Sequence, residues 1–183
     1  DLDISILDQA PAGRGNITTK IISPLSRTVM NRQIETEISK GHQVYFIAPL
    51  IESNDKTEQE SVGNLAKKLM KEFKTARIGL LHGKLSSETK DIAMRQFAEH
   101  EIDILVSTTV VEVGVDVPNA TVMVIENADQ FGLSQLHQLR GRVGLFQGDS
   151  PTVWVGNAYQ STGLNYIAYQ NLTDWQNIKF NPD

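Results

Sequence analysis

Residues 43–51, with the sequence QVYFIAPLI, form a near-continuous run of aromatic, β-branched and other apolar side chains. Such a run is typical of a strand in a parallel sheet covered on both faces, because an exposed face would require a polar residue at every second position. Apolar residues recur at four-residue spacing over 26–40, with Gly41 as the stop, and with a helical period over 62–73. The stretch therefore predicts a buried strand between two amphipathic helices.

The same alternation of strands and helices continues along the chain. Further strands are predicted at 16–22, 77–81, 102–107, 121–126 and 152–156. Further helices are predicted over 133–140 and from Ser86 or Ser87, the latter with an inner face of Ile92, Ala93 and Phe97. Residues 53–60, SNDKTEQE, contain no core residue and are interpreted as a mobile loop. The alternation predicts right-handed βαβ units, and hence an α/β fold with a parallel sheet and helices on both of its faces.

Composition limits the class of protein. The chain has 183 residues, of which 40% are apolar and 21% charged, and this suits one soluble α/β domain with a real core. It has no cysteine, which excludes disulfides, thiolate zinc sites and cysteine nucleophiles and favours the reducing cytoplasm. No apolar stretch approaches the ~18–20 residues of a membrane helix, so no membrane partner is expected.

The formal net charge of −5 argues against nucleic-acid binding by this chain alone, since phosphate neutralisation drives such binding. Residues 42–76 carry five basic and five acidic side chains, and the acidic excess lies after residue 76. Counted in this way, no basic stripe stands out. We expect the isolated chain to bind DNA weakly, although it could supply part of a larger groove.

The chain has no complete motif of its own for holding nucleotide phosphates. Residues 79–84, GLLHGK, superficially resemble a P-loop, but three residues rather than four separate the glycines, and Leu85 follows the lysine. No Asp-Glu pair ends an apolar strand, so no metal site is predicted. Two interpretations follow from the residues: a non-enzymatic domain, or half of a composite active site.

Residues 104–119, ILVSTTVVEVGVDVPN, end a predicted buried strand in the hydroxyls of Thr108 and Thr109, followed by Gly114 and Asp116. Hydroxyls and backbone N–H groups at such a point can hold a phosphate, and a carboxylate can hold a ribose hydroxyl. Turn formation around Pro118 explains Asp116 equally well. The residues alone leave a ligand site and a turn as equal alternatives.

Residues 131–144, FGLSQLHQLRGRVG, place Gln135 and Gln138 three residues apart and so on one face of the predicted helix. Arg142 lies between two glycines, where the backbone can approach a ligand closely. An arginine presented in this way is the type that stabilises a transferring phosphoryl group. The alternative is a surface arginine paired with a carboxylate, which usually contributes ~0–1 kcal/mol.

The last two segments resemble the fifth and sixth motifs of superfamily-two helicases, and among these the RecG-type branched-DNA helicases in particular. The resemblance extends, in the family's order and spacing, to VYFIAPLIE at 44–52, ARIGLLHGKL at 76–85 and the whole of 103–129. Residues 1–15 resemble the linker between the two motor domains of that family. Transcription-repair coupling factors share the general pattern but match less well around 132–138.

The resemblance implies a second RecA-like motor domain over 16–156, whose P-loop lies in a preceding domain. ATP and Mg²⁺ would then be bound mainly by that first motor domain, in the cleft between the two. By position, Gln138 and Arg142 are implied to act catalytically on the nucleotide phosphates, and Gly114 and Asp116 to contact the nucleotide. DNA-backbone contacts are implied for Pro49, His82, Gly83, Lys84, Thr108 and Thr109. The implied partners are branched DNA, both forks and Holliday junctions, and the N-terminal motor and DNA-binding domains of the same protein.

The chain departs from the family at one position. The sixth motif continues Gly-Arg-x-Gly-Arg, whereas Leu145 stands in the last position here, and a leucine cannot donate to phosphate. We expect the resemblance to end at Gly144 and residues 157–183 to form a tail without assigned structure. Two alternatives to the helicase therefore stay open: a non-catalytic interaction or nucleotide-binding domain that keeps a helicase fold, and the motor of a coupling factor. The isolated chain is expected to be inactive.

Overall fold

The structure, a computed structural model, describes residues 17–22, 26–48, 55–108, 117–128, 131, 136, 138–139 and 151–156. The predicted leading segment 1–15 and the tail 157–183 lie outside these residues. Within them, six strands form one sheet in which every pairing is parallel. The strands are β1 (Thr18–Ile21), β2 (Gln43–Ile47), β3 (Ile78–Leu81), β4 (Ile104–Ser107), β5 (Ala120–Ile125) and β6 (Thr152–Val155).

The strand order is β1-β6-β5-β2-β4-β3, so the predicted buried strand β2 lies inside the sheet between β5 and β4. All five of its residues are buried, which confirms the interpretation of 43–47 as a strand covered on both faces. Successive side chains of β2 enter opposite layers of the core, because strand residues alternate between the two faces.

In the described part of the chain, the sheet is covered by α1 (Arg27–Ser39), α2 (Asp55–Glu72) and α3 (Ser87–Ala98). Ile34 of α1 and Leu69 of α2 pack with Phe46 on one face. On the other face, Phe97 of α3 packs with Tyr45, with ring centroids 5.0 Å apart and ring planes tilted by 58°. The predicted α/β fold with helices on both faces of a parallel sheet is confirmed.

The helix boundaries follow the local capping signals. Gly41 has φ of +86°, and its N–H donates to the carbonyl of Ile38, while the N–H of His42 donates to that of Glu37. This pair of bonds is the Schellman arrangement, which favours glycine because of its left-handed backbone. At the start of α3, the hydroxyl of Ser86 accepts a hydrogen bond from the backbone N–H of Thr89 at 3.1 Å. Both the predicted stop and the predicted cap are confirmed.

The interpretation of 53–60 as a mobile loop is wrong, because α2 begins at Asp55. Lys, Glu and Gln have good helix propensity, and acidic side chains favour the positive end of the helix dipole. The absence of core residues in this stretch therefore does not indicate a loop.

Two residues of the predicted apolar helix faces are exposed: Met70, which belongs to the apolar period over 62–73, and Ile92. Met70 of α2 is 52% exposed and Ile92 of α3 is 37% exposed, whereas Met94 is buried. On α2 the buried stripe is narrower than the apolar periodicity suggested, whereas on α3 it is shifted, with Met94 buried in place of Ile92.

A buried amide joins several elements at the start of β2. The Nε2 of Gln43 donates to the carbonyl oxygens of Phe97 at 2.6 Å and Ile102 at 2.7 Å. Its Oε1 accepts from the Nδ2 of Asn119 at 2.9 Å, and the same Nδ2 donates to the carbonyl of Gly41 at 2.7 Å. Gln43 therefore holds the end of α3, the approach to β4 and the turn before β5 in one arrangement.

Candidate functional site at the carboxyl edge of the sheet

The carboxyl ends of the six parallel strands meet at one edge of the sheet, called here the carboxyl edge. Ligands of open parallel sheets bind at this edge, because the loops that follow the strands converge there. Backbone bonds of 2.8 Å hold neighbouring strand ends together: Ala48 N to Ser107 O, Glu126 N to Ile47 O, Gly156 N to Ile125 O, and Ile22 N to Val155 O. The edge is thus a continuous support for the loops that leave it.

The loop after β3 presents Gly83 and Lys84 to solvent. His82 is only 6% exposed, and its Nδ1 accepts the backbone N–H of Lys84 at 3.2 Å. This bond assigns the neutral ring's proton to Nε2. The backbone N–H of Leu85 closes the turn on the carbonyl of His82 at 3.2 Å. His82 therefore shapes the turn, and the lysine side chain is the part of it best placed to meet an anion.

Thr108, at the end of β4, is 1% exposed, and Ser107 before it is fully buried. The hydroxyl of Thr108 therefore forms no part of the exposed surface of the carboxyl edge. Pro49 and Thr109 lie outside the described residues. For Thr108, contact with the DNA backbone stays a prediction.

Gln138 is exposed on a helical stretch that is anchored by apolar side chains. Leu136 and Leu139 are 1% and 0% exposed, and Phe131 before them is 5% exposed. Residues three apart share a helix face, so the buried leucines direct Gln138 outward. Its exposed amide fits the predicted contact with nucleotide phosphates. Gly114, Asp116 and Arg142 lie outside the described residues, and their roles stay predictions.

An ion pair that the sequence analysis missed lies at the same edge. Arg27, the first residue of α1, donates from both terminal nitrogens to the carboxylate of Glu126, at 3.1 and 3.2 Å. The two side chains are 32% and 17% exposed. A Cβ added at Gly156 would lie 3.5 Å from the carboxylate, so the pair sits closely against the end of β6.

The ion pair fixes the exit of the chain from β5. Glu126 is followed by Asn127 with φ of +51°, and the N–H of Ala128 donates to the carbonyl of Gly156 at 3.0 Å. The segment then leads to Phe131 and to the helical residues around Gln138. One local signal existed: a cation in the first turn of a helix opposes the helix dipole unless a carboxylate compensates it. That signal could identify Arg27 but not its partner 99 residues away.

The carboxyl groups whose pKa is shifted lie at the opposite, amino edge of the sheet. Burial opposes ionisation of Asp103, but hydrogen bonds from the side chain and backbone of Arg77 outweigh it and hold the pKa of that carboxyl below its ordinary value. Burial likewise opposes ionisation of Glu37, and hydrogen bonds from Thr121, His42 and Lys40 keep its pKa low. Both carboxylates are satisfied structural anions and do not have the raised pKa of a general acid.

Among the described residues, no helix is both long and apolar enough to cross a membrane. Within the same residues, no three His, Asp or Glu side chains are grouped as ligands for a metal ion.

Several known proteins are similar to this chain in sequence and in fold. The family model described as the helicase conserved C-terminal domain matches residues 26–146. The chain is 49% identical over 174 residues to the ATP-dependent DNA helicase RecG of Streptococcus pneumoniae serotype 4, and 45% identical over 174 residues to that of Staphylococcus epidermidis. Each alignment covers 94% of this chain and 26% of the relative, so the chain spans about a quarter of the length of these relatives.

Solved structures agree with these matches. The structure of RecG bound to a three-way DNA junction is 38% identical, with a TM-score of 0.71, and covers 94% of this chain and 21% of that one. The helicase domain of Pyrococcus furiosus Hef is 19% identical, with a TM-score of 0.51, over 80% of this chain and 28% of that one, and shows the fold alone.

The extent of the alignments corrects one expectation. An alignment of 174 residues in a chain of 183 necessarily continues through most of 146–183, so the resemblance does not end at Gly144. With the family model matching well over half of its residues, the chain belongs to the helicase conserved C-terminal domain family.

Proposed function

We propose that this chain is the second motor domain of a RecG-type, ATP-dependent DNA helicase that acts on branched DNA. The whole protein would reverse forks and migrate Holliday junctions during DNA repair and recombination. The observation that carries the proposal is the 45–49% identity to RecG helicases over 94% of the chain, together with the likeness to RecG on a three-way junction. The lack of cysteine suits a cytoplasmic protein of this kind.

The active site would be composite. ATP and Mg²⁺ would be bound mainly by a preceding motor domain, with residues 1–15 as the linker and 16–156 as the domain proposed here. Gln138, which is exposed, and Arg142 would face the phosphates, while Gly114 and Asp116 would contact the nucleotide. The bidentate pair of Arg27 and Glu126 supports this proposal because it fixes where the segment carrying Gln138 leaves the sheet.

DNA would be held by the loops of the carboxyl edge. Lys84 supplies an exposed cation and Gly83 an accessible backbone, and both suit contact with phosphates. Pro49, His82, Thr108 and Thr109 complete the proposed DNA-contacting set. Because such contacts follow the backbone, we expect recognition of shape and branching without reading of base sequence.

Leu145 favours a second candidate, a domain that keeps the helicase fold without its catalytic power. The family's arginine at this position would donate to phosphate, and loss of an arginine finger can lower the rate by about 10³–10⁵. In this alternative, the chain would still pair with a first motor domain and bind nucleotide, but turnover would be negligible.

A chimera separates the two candidates. In RecG of Streptococcus pneumoniae, the matching segment is replaced by this chain, carrying either Leu145 or Leu145→Arg. Hydrolysis of ATP and unwinding of a three-way junction are then measured. We expect activity from the Leu145→Arg chimera, a rate lower by about 10³ or more with Leu145, and no activity when Arg142→Ala is added to the active form.

Three results would contradict these expectations. A folded Leu145→Arg chimera without DNA-stimulated ATP hydrolysis would overturn the proposed function. Comparable unwinding with Leu145 and Leu145→Arg would show that this position carries no essential contact. DNA-stimulated ATP hydrolysis by the isolated chain would show that the active site is not composite.

A further inference from the structure

The second half of α2 and the turn after it carry a group of exposed lysines. Lys67, Lys68, Lys71 and Lys74, called here the lysine surface, are all exposed. Lys67 and Lys68 lie four and three residues before Lys71 on α2, so these three share one part of the helical surface, and Lys74 follows in the turn just after the helix. The lysine surface is therefore a run of four exposed cations at the end of α2.

None of the side chains of these four lysines forms an ion pair or a hydrogen bond within the described residues. The nearest acidic neighbour in sequence, Glu72, instead accepts a hydrogen bond from Asn31 of α1 at 3.4 Å. Residues 67–74 thus contain four lysines and one carboxylate, although the whole chain has a net charge of −5. The expectation that no basic stripe stands out is wrong, because the acidic side chains of 52–60 cancelled these lysines in the segment count.

The chemistry of the patch favours a double-stranded phosphate backbone. Lysine is a compact point charge that suits phosphates, whereas single strands are held largely by stacking of bases on aromatic side chains. Every aromatic side chain whose burial the structure describes is buried, so none accompanies the lysines. A group of four lysines with no aromatic side chain on which bases could stack suits the regularly spaced phosphates of a duplex.

The lysine surface is separate from the carboxyl edge. The strands are parallel, and α2 runs back from the end of β2 to the start of β3. Its last turn therefore lies toward the amino edge, away from Lys84 and Gln138. A branched DNA has several duplex arms, so a second contact surface on the same domain could bind a different arm from the one at the carboxyl edge.

We propose that the lysine surface binds the phosphate backbone of a duplex arm at a place distinct from the carboxyl edge. This inference rests on the proposed function in naming DNA as the polyanion. Binding here would be independent of base sequence and of ATP, and each lysine that contacts a phosphate would displace about one counterion.

Binding of a labelled blunt duplex to this chain is measured without nucleotide over a range of salt concentrations. The test variant is K67Q/K71Q/K74Q, because glutamine has a helix propensity close to that of lysine and the positions are exposed. If all three lysines contact phosphates, the slope of log K against log salt becomes shallower by about 2.7. That difference corresponds to roughly 40-fold in affinity between 50 and 200 mM salt.

Two control variants keep the test decisive. R32Q/K40Q/R95Q removes the same charge from exposed positions outside the lysine surface and should keep most of the slope. K67R/K71R/K74R keeps the charge and should bind like the unmodified chain. Equal thermal midpoints for the variants would show that the fold is retained.

Several outcomes would overturn the proposal: no duplex binding by the unmodified chain at low salt, an unchanged slope in K67Q/K71Q/K74Q, or an equal loss in the R32Q/K40Q/R95Q control. Stronger binding of a single strand than of the duplex would also contradict it. If the lysine surface binds polyglutamate while duplex binding does not depend on it, the partner is an acidic protein and the proposal is wrong. Since no ATP is present, failure here is distinguishable from failure of the chimera.

Discussion

Replacing Gln43 by leucine should destabilise the chain substantially, although the residue lies far from the carboxyl edge. The side chain is 1% exposed and makes three hydrogen bonds. Leucine has a similar size but can replace none of them. The carbonyl of Phe97 keeps a bond from the N–H of His100, whereas that of Ile102 accepts no other hydrogen bond among the described residues.

The loss of free energy of unfolding can be worked out from these hydrogen bonds. Leaving the buried Ile102 carbonyl without a donor costs about 1–3 kcal/mol, and the bonds to Phe97 and Asn119 contribute about 0.5–1.5 kcal/mol each. Because leucine adds some apolar burial, we expect Gln43→Leu to lower the free energy of unfolding by about 3 kcal/mol. Urea unfolding measures this change as a lower midpoint at an unchanged slope.

Gln43→Glu provides the matched test. At neutral pH, its carboxylate would face two carbonyl oxygens in a buried site, so the pKa of the introduced group must rise. A raised pKa of an acid means that the native state holds the proton more tightly, so the variant loses stability as pH rises above about 4.3. Near pH 4 the protonated carboxyl can donate one hydrogen bond and still accept from Asn119, so the variant should be at least as stable there as the leucine variant. A Gln43→Leu change below 0.5 kcal/mol, or a pH-independent Gln43→Glu, would refute the reasoning.

Three further predictions concern other parts of the fold. At Gly63, inside α2, no atom lies within 4 Å of an added Cβ, so Gly63→Ala should raise the free energy of unfolding by about 0.5–1 kcal/mol. Gly41→Ala should lower it by about 1 kcal/mol, because Gly41 has a positive φ. Equal effects of the two substitutions in urea unfolding would contradict this. A double-mutant cycle of Arg27→Gln and Glu126→Gln should give a coupling of about 1 kcal/mol, since the pair is bidentate but partly solvated; additive losses would mean that the pair contributes nothing. The lowered pKa of Asp103 means that its stabilisation is present at neutral pH and is lost as pH falls through the native pKa. Asp103→Asn should therefore unfold more easily at pH 7 and respond less to acid, and an acid response equal to that of the unmodified chain would count against the assignment.

Much of the fold could be predicted because its signals are local. The run at 43–47, the stop at Gly41 and the cap at Ser86 depend on residues within one turn or one strand, and all three are confirmed. The loop predicted over 53–60 is wrong because a lack of core residues does not exclude a helix, which can continue on propensity alone.

The candidate site was predictable in part. The motif around Gln138 predicts an amide on a helix, and the structure shows this residue exposed beside two buried leucines. Burial of Thr108 and His82 could not be predicted, because hydroxyl and imidazole groups at the end of a strand occur in both buried turns and open sites. Their environment depends on neighbouring strands that are distant in sequence.

By itself, the sequence determined the alternation of strands and helices, the central buried strand and the family to which the motifs belong. Each of these depends on the spacing of residues along the chain. That spacing can be read from the sequence without knowing which elements pack together in the fold. The tertiary structure alone decided the strand order, the pairing of Arg27 with Glu126 and the exposure of four lysines near the end of α2. The physical reason is that an ion pair across 99 residues, or the solvent exposure of a helix face, depends on which elements pack together in the folded sheet.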